Sequence, residues 1–386
     1  MERKKPMGKR VTLADIAKVA GVTPATVQRA LKGLEGVGDE QRQNILRVAK
    51  EMNYRPNVLA STLKKGEVNI AIVLPDAEDE NQYYAASLWD GVQAVLDGSY
   101  GYMVKGHRFS YERSPKTLGE TMQRVCAEMG GQLNGVITMG VEDEAFLDAC
   151  RQLDSRRIPY VFVGTDCRAA GRLCCVTGCN EIAGKIAADL FLNLQSGQGG
   201  KIILTGDFSI EDQQQNALGF EEQIGRYGKN YRMIKLINYD GIQATGLEIS
   251  RLLASDADVV GIYSTSARNT LAISQATQDL DHRLLTVGSD VFPENIELLK
   301  NRRISAIIHK RSFEQAQRAA QILVDYLLTR KESFRSEELV LPQVVTNGNV
   351  GCFEAVSYTH LRSGENGGFW HGLDCTFLWA EFLTIF

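Results

Sequence analysis

The residues best placed to do chemistry sit near the start of the chain. Thr23-Pro24 opens a short stretch carrying Ala25, Thr26, Gln28 and Arg29 on one side and Val27, Ala30 and Leu31 on the other. Thr is a good N-cap and Pro fits the first helical position, so a helix is predicted from Pro24. Its first turns present short or polar side chains, which permit close approach to a surface. Arg29 can reach a guanine edge or a phosphate. Upstream, Thr12 and Asp15 are spaced as a capping box, with Asp in the place of the usual Glu or Gln, before the apolar-periodic Leu13, Ile16, Ala17 and Ala20. Gly21 supplies the turn between the two helices, where a positive φ costs glycine little. A third helix is expected after Asp39, with Ile45, Val48, Ala49 and Met52 turned inward.

Charge follows the same division. Residues 1–66 hold 14 Lys and Arg against 6 Asp and Glu, whereas the remainder holds 29 against 41, although the whole chain nets only −4. Only the first segment is built to meet a polyphosphate. Two helices joined by a glycine turn, with the second exposing its start, form the arrangement that sets a helix into the DNA major groove.

The words TLADIAKVAGVTPATV and RVAKEMNYRPN, followed by Ala60 and Leu63 in A-x-x-L spacing, resemble the head of the LacI/GalR family of bacterial repressors over about 55 residues. The resemblance implies that Thr12, Thr23, Pro24, Ala25, Thr26, Gln28, Arg29 and Lys32 face DNA. It also implies a hinge helix that folds on DNA in dimers, with Asn57, Ala60 and Leu63 at the minor groove and Leu63 as the wedge that kinks the central step. The family's usual Thr-Val-Ser-Arg is Thr26-Val27-Gln28-Arg29 here. Lys32 replaces an Asn, and Gly38 a common Ser N-cap. These departures bear on which operator is read, not on whether DNA is bound.

The rest of the chain must position and control that head. The 386 residues of the whole chain suggest two or three domains, and 44% hydrophobic with 23% charged residues is ordinary for a globular protein. No apolar run is long enough to span a membrane, and the N-terminal arm is basic with no signal-peptide pattern, so a cytoplasmic location is expected. The eight cysteines show no paired CxxC spacing, and Cys174, Cys175 and Cys179 lack a nearby His; buried thiols are expected, with neither metal nor cofactor.

From residue 68 onward β-rich runs (68–74, 135–140, 160–164, 201–206, 233–237, 258–264, 284–289 and 304–309) alternate with helical stretches, which predicts parallel sheets covered by helices. The expected architecture is a small all-α head followed by a two-lobed α/β body. The body resembles the periplasmic-binding-protein-like effector domain that the family carries, with three crossovers near 165–170, 289–293 and 328–332. Expected domains are 1–53 (head), 54–67 (hinge and linker) and 68–353 (effector-binding). Within the last, lobe 1 covers about 68–167 and 292–329, and lobe 2 about 168–291 and 330–353. Residues 354–386 stand apart. Val356–Arg362 resembles a translated sequencing adapter and the text beyond has no periodicity, so this tail is read as foreign to the domain.

Ligands of open α/β sheets sit off the carboxyl ends of strands. Candidates there are Asp76, Tyr83, Tyr84, Asp166, Arg268, Asn269, Asp290 and Lys310. The resemblance implies an aromatic ring at Tyr83 or Tyr84 stacking on a ligand, and the Asp of the VGxD word, Asp290, bonding it. The family's sugar-chelating Arg is Asn216 here, and a frequent Gln is Lys310. A polar ligand, a sugar or sugar derivative, is the expectation, with acidic and neutral forms both open. A homodimer on a near-palindromic operator follows from the family pattern.

Other classes fit less well. SGQGGK at 196–201 lacks the spacing of a phosphate loop, and no G-x-S-x-G or HExxH word is present, so no enzyme is expected. A transport receptor would not need the basic head. A non-specific DNA binder would not need some 280 residues of cleft-forming fold.

Overall fold

The computed structural model describes residues 11–31, 35–52, 67–77, 82–98, 104–112, 114–195, 199–237, 241–278, 280 and 284–353. The chain divides into two compact units, Met1–Gly66 and Glu67–Phe386.

The first unit holds α1 (Leu13–Ala20), α2 (Pro24–Leu31) and α3 (Asp39–Glu51). Local chemistry sets both ends of α1 and the start of α2. The Thr12 N–H donates to Asp15 Oδ2 at 2.8 Å and the Asp15 N–H to Thr12 Oγ1 at 3.3 Å, a reciprocal capping box. Gly21 ends α1 at φ 68°, left-handed backbone that an L side chain resists. Thr23 Oγ1 accepts from the Thr26 N–H at 3.2 Å, which fixes the start of α2. Ile16, Ala17, Val27, Ala30, Val37, Ile45, Val48 and Ala49 form one small core.

The second unit is two sheets. β1 (Val68–Pro75), β2 (Val104–Tyr111), β3 (Leu133–Thr138), β4 (Tyr160–Val163) and β5 (Cys174–Gly178) alternate with α4 (Gln82–Leu96), α5 (Pro115–Met129) and α6 (Glu144–Ser155). α7 (Asn180–Leu194), β6 (Gly200–Gly206), α8 (Glu211–Tyr227), β7 (Tyr231–Ile237), α9 (Gly241–Ser255), β8 (Val259–Ser264), α10 (Ala267–Ala276), β9 (Leu285–Ser289), α11 (Pro293–Lys300) and β10 (Ala306–His309) follow. α12 (Ser312–Thr329), β11 (Glu337–Val340) and β12 (Gln343–Val345) close the described part. Lobe 1 is the sheet β11-β5-β4-β3-β1-β2 and lobe 2 the sheet β12-β10-β9-β8-β6-β7. Pairing is parallel throughout except β10 with β12. Helix packing is close enough to require glycine: a Cβ on Gly184 of α7 would lie 1.9 Å from the Asn216 carbonyl of α8.

The lobe crossings fall one strand later than expected. They lie between β5 and α7, between β10 and α12, and between β11 and β12, not near 165–170, 289–293 and 328–332. β5 (Cys174–Gly178) is an interior strand of lobe 1, paired with β4 and β11. Residues 293–309 belong to lobe 2: β10 pairs with β9, and Ile296 and Leu299 of α11 pack on Ile304, Ile307 and Val345. β11 belongs to lobe 1. The strand-by-strand alternation is the same on either side of a crossing, so periodicity alone carries no mark of where one sheet ends. Nothing in this structure tests the expectation for the hinge and the tail, since residues 54–66 and 354–386 lie outside the described residues.

Candidate functional site

In the head, Thr12, Thr23, Pro24, Ala25, Gln28 and Arg29 are exposed and Thr26 is half-buried, while Val27 and Ala30 turn into the core. The start of α2 is thus a solvent-facing set of small and polar side chains ending in a guanidinium. Lys32, Asn57, Ala60 and Leu63 lie outside the described residues.

In the two-lobed unit, the carboxyl ends of the lobe-2 strands carry a dense polar cluster. Asp290 follows β9 with φ 61°, left-handed backbone that a non-glycine residue adopts only when its surroundings hold it there. The hold is visible. Its Oδ1 accepts the Lys310 backbone N–H at 3.1 Å, and its Oδ2 lies 3.1 Å from the Lys310 ammonium. The same ammonium donates to the Thr265 carbonyl at 3.2 Å. Asp290 and Lys310 therefore clamp the ends of β8, β9 and β10 together. The Val291 N–H points at His309 Nδ1 at 3.4 Å, which requires an unprotonated Nδ1; burial pushes His309 below the usual histidine pKa, against the pull of Asp290.

Behind this clamp the interior is polar and largely satisfied. Asn269 Nδ2 donates to Thr205 Oγ1 at 2.8 Å, and Gln213 Oε1 accepts from Thr265 Oγ1 at 3.0 Å and from the Asp207 N–H at 2.9 Å. Ser289 Oγ donates to the Ser264 carbonyl at 2.7 Å. Tyr263, fully buried, donates its hydroxyl to Asn216 Oδ1 at 2.5 Å, and burial raises the phenol far above its ordinary pKa. Gly206 must be glycine, since a Cβ there would fall 1.9 Å from Thr265 Oγ1.

Lobe 1 contributes different groups. Asp76, half-buried after β1, donates its N–H to the Tyr111 carbonyl. Asp166 after β4 is ion-paired with Arg172; their side chains are 21% and 13% exposed, so most of this pair is out of water. Tyr84 packs its phenol against Gly164, where a Cβ would come within 2.4 Å of the hydroxyl. Tyr83 reaches the other lobe: its ring stacks on Phe292, centroids 4.0 Å apart, and its hydroxyl donates to Glu294 Oε1 at 2.6 Å.

The structure brings Asp290 and Lys310 together, as strand-end logic implies. Asn216 and Asn269 are both fully buried in lobe 2, where Asn216 accepts from Tyr263 and Asn269 donates to Thr205. Tyr83 stacks on Phe292 and presents no free face on that side. Arg268 is half-buried in the first turn of α10. Sequence reasoning missed Arg172, His309, Phe292 and Glu294. An acidic residue followed six positions later by Arg172 in a loop was a usable signal for the Asp166 pair; the Phe-Pro-Glu start of α11 pointed to a helix N-terminus but not to a partner on the other lobe.

Most of the described cysteines are buried thiols, Cys179 being half-buried and Cys352 exposed; Cys150 is pushed up to about 12 and Cys174 to about 11, in both cases first by burial. Among the described residues no group of His, Cys, Asp and Glu is arranged to hold a metal, and no helix is long and apolar enough to cross a membrane.

A parallel two-sheet fold with polar strand ends, behind a capped helix-turn-helix unit, defines a class of two-part regulators. Residues 12–57 match the family of bacterial regulatory proteins of the lacI type, and residues 70–331 match the periplasmic binding protein domain. The chain thus joins a head of the lacI family of bacterial regulatory proteins to a periplasmic binding protein domain, and belongs to the family of the latter, which spans more than half of its length.

Among its relatives is the HTH-type transcriptional regulator MalR of Streptococcus pneumoniae, 28% identical over 158 residues, which are 40% of this chain and 45% of MalR. The chain thus aligns with less than half the length of that relative. Catabolite control protein A of Staphylococcus xylosus is 25% identical over 273 residues, 70% of this chain and 78% of the relative. A solved structure of similar fold is GanP, a glucose-galactose binding protein from Geobacillus stearothermophilus. It has a TM-score of 0.61 and 19% identity, and the match covers 73% of this chain and 98% of GanP.

Proposed function

We infer that this chain represses transcription from a near-palindromic operator as a homodimer in the cytoplasm, and that a small polar ligand between the two lobes controls its affinity for DNA. The observation that carries the reading is the joining, in one chain, of an exposed, capped reading helix to a body whose lobe-2 strand ends converge on Asp290, Lys310 and Thr265. Such a cluster offers carboxylate, carbonyl and ammonium groups in one place, the mixture that hydroxyl-rich ligands require. A sugar or sugar derivative is the ligand class supported best.

The case for an acidic ligand is weaker than charge counting suggests. The Lys310 ammonium is matched by Asp290 and Arg172 by Asp166, so these cations carry no unbalanced charge toward an incoming anion. A neutral polyol competes with no ion pair. A panel of neutral and acidic sugars, read by the thermal shift of the intact chain, separates the two. Stabilisation by neutral sugars alone is expected, and stabilisation by sugar acids alone would reverse this preference. Ligand and DNA must each change the affinity of the other by the same factor, whichever sign the coupling has.

A further inference from the structure

Tyr83 and Phe292 come from opposite lobes. Tyr83 lies in the first turn of α4, in lobe 1; Phe292 and Glu294 flank Pro293 at the start of α11, in lobe 2. The two rings are nearly parallel, 21° between planes with centroids 4.0 Å apart, and the Tyr83 hydroxyl donates to the Glu294 carboxylate at 2.6 Å. We propose that these three side chains form a clasp that ties the two lobes together and gates access to the cleft between them.

Each half of the clasp is anchored in its own lobe. Phe292 is 4% exposed and precedes a helix whose Ile296 and Leu299 are buried in lobe 2. Tyr83 begins a helix whose Ala85 and Leu88 are fully buried in lobe 1, and its carbonyl accepts from Ser87 Oγ at 2.9 Å. Neither ring can follow the other if the lobes part, so opening must break both the stack and the hydrogen bond. The bond is charge-assisted, and its donor is durable: burial and the Glu294 contact push the phenol up to about 12.

The position suits a gate. Phe292 follows Asp290 by two residues, and Tyr83 follows Asp76 by seven, so the clasp stands at the strand ends where the lobes face each other. A ligand stacking on this face of Tyr83 must first displace Phe292. The gating role rests on the reading of an inter-lobe ligand; the clasp itself does not.

The test is hydrogen–deuterium exchange on the intact chain without ligand or DNA, with small-angle scattering alongside. Tyr83→Ala should accelerate exchange in lobe 2, at residues 291–296, by roughly tenfold, the change expected for losing an aromatic stack together with a charge-assisted bond. Phe292→Ala should do the same at residues 83–88 in lobe 1, and the radius of gyration should rise in both variants. Tyr83→Phe keeps the ring and spares the helix, and should give the same cross-lobe acceleration to a smaller degree. Acceleration confined to the lobe carrying each substitution, with unchanged scattering, would overturn the clasp. Because neither ligand nor DNA is present, that failure would leave the ligand reading standing, and a failed ligand screen would leave the clasp standing.

Discussion

The two lobes share one topology and differ in what they bury. Lobe 1 has an apolar interior: Val73, Phe146, Tyr160, Phe162 and the thiols Cys126, Cys150 and Cys175 fill it, and its buried polar residues among those described are few, Thr121, Thr138, Ser312 and Gln315. In lobe 2 the apolar layer of Phe191, Phe220 and Ile224 sits beneath a second layer of Thr205, Gln213, Asn216, Thr265, Asn269 and Ser289, all at the carboxyl ends of strands or the helices beside them. Buried polar groups are costly unless paired, so a fold keeps such a layer only where every member is held or where it serves a site. The difference teaches that the two halves of the cleft do unlike work. Lobe 2 carries the buried hydrogen-bonding layer and the Asp290–Lys310 pair; lobe 1 carries Tyr83, Tyr84 and the Asp166–Arg172 pair.

The largest effects should not tell the lobes apart. Phe146→Ala in lobe 1 and Phe220→Ala in lobe 2 each remove a fully buried ring and should each cost about 3–5 kcal/mol in urea denaturation. A markedly smaller loss in one lobe would mean that its core repacks freely. Polar truncation should separate them. Tyr263→Phe removes the hydroxyl that donates to Asn216 Oδ1 and should cost about 1–3 kcal/mol. Thr138→Val in lobe 1 loses only a long contact of 3.4 Å to the Met139 carbonyl and should cost less than about 1 kcal/mol. Equal costs would dissolve the contrast between the two interiors.

A pH profile sharpens the comparison further. His309 sits in lobe 2 with its pKa lowered by burial, so the unfolded chain takes up a proton that the folded chain refuses. Stability of the two-lobed unit should be intact above the ordinary histidine pKa of about 6.5 and fall as the pH drops below it, until the lowered folded pKa is reached. His309→Gln should flatten this part of the curve; an unchanged slope would assign it to other groups. The smallest effect should come from Arg318–Glu338 at the edge of lobe 1, where two contacts of 2.6 and 2.8 Å are made by an arginine side chain 41% exposed. Screened by solvent, its loss in Arg318→Ala should cost no more than about 1 kcal/mol.

The head was almost wholly legible from sequence because its structure is local. Capping residues, a left-handed glycine and 3.6-residue periodicity all act within one or two turns, and Thr12–Asp15, Gly21 and Thr23 do what their spacing says. The alternating body was legible as a class for the same reason. What could not be read depends on contacts between residues far apart in the chain. The strand at Cys174–Gly178 belongs to lobe 1 because β4 and β11 accept it, not because of its own composition. Asn216 is held by Tyr263, 47 residues on, a partner that its own sequence position does not announce. Phe292 and Glu294 acquire meaning from Tyr83, more than 200 residues away.

The most direct measurement of the central claim is selection of bound sequences from a random duplex library with the intact chain, repeated with Arg29→Ala. Enrichment of a near-palindrome with a flexible central pyrimidine–purine step, weakened by Arg29→Ala at one symmetric pair of positions, is the predicted result. Salt-sensitive binding to every duplex, with no enriched sequence and no positional effect of Arg29→Ala, would contradict it.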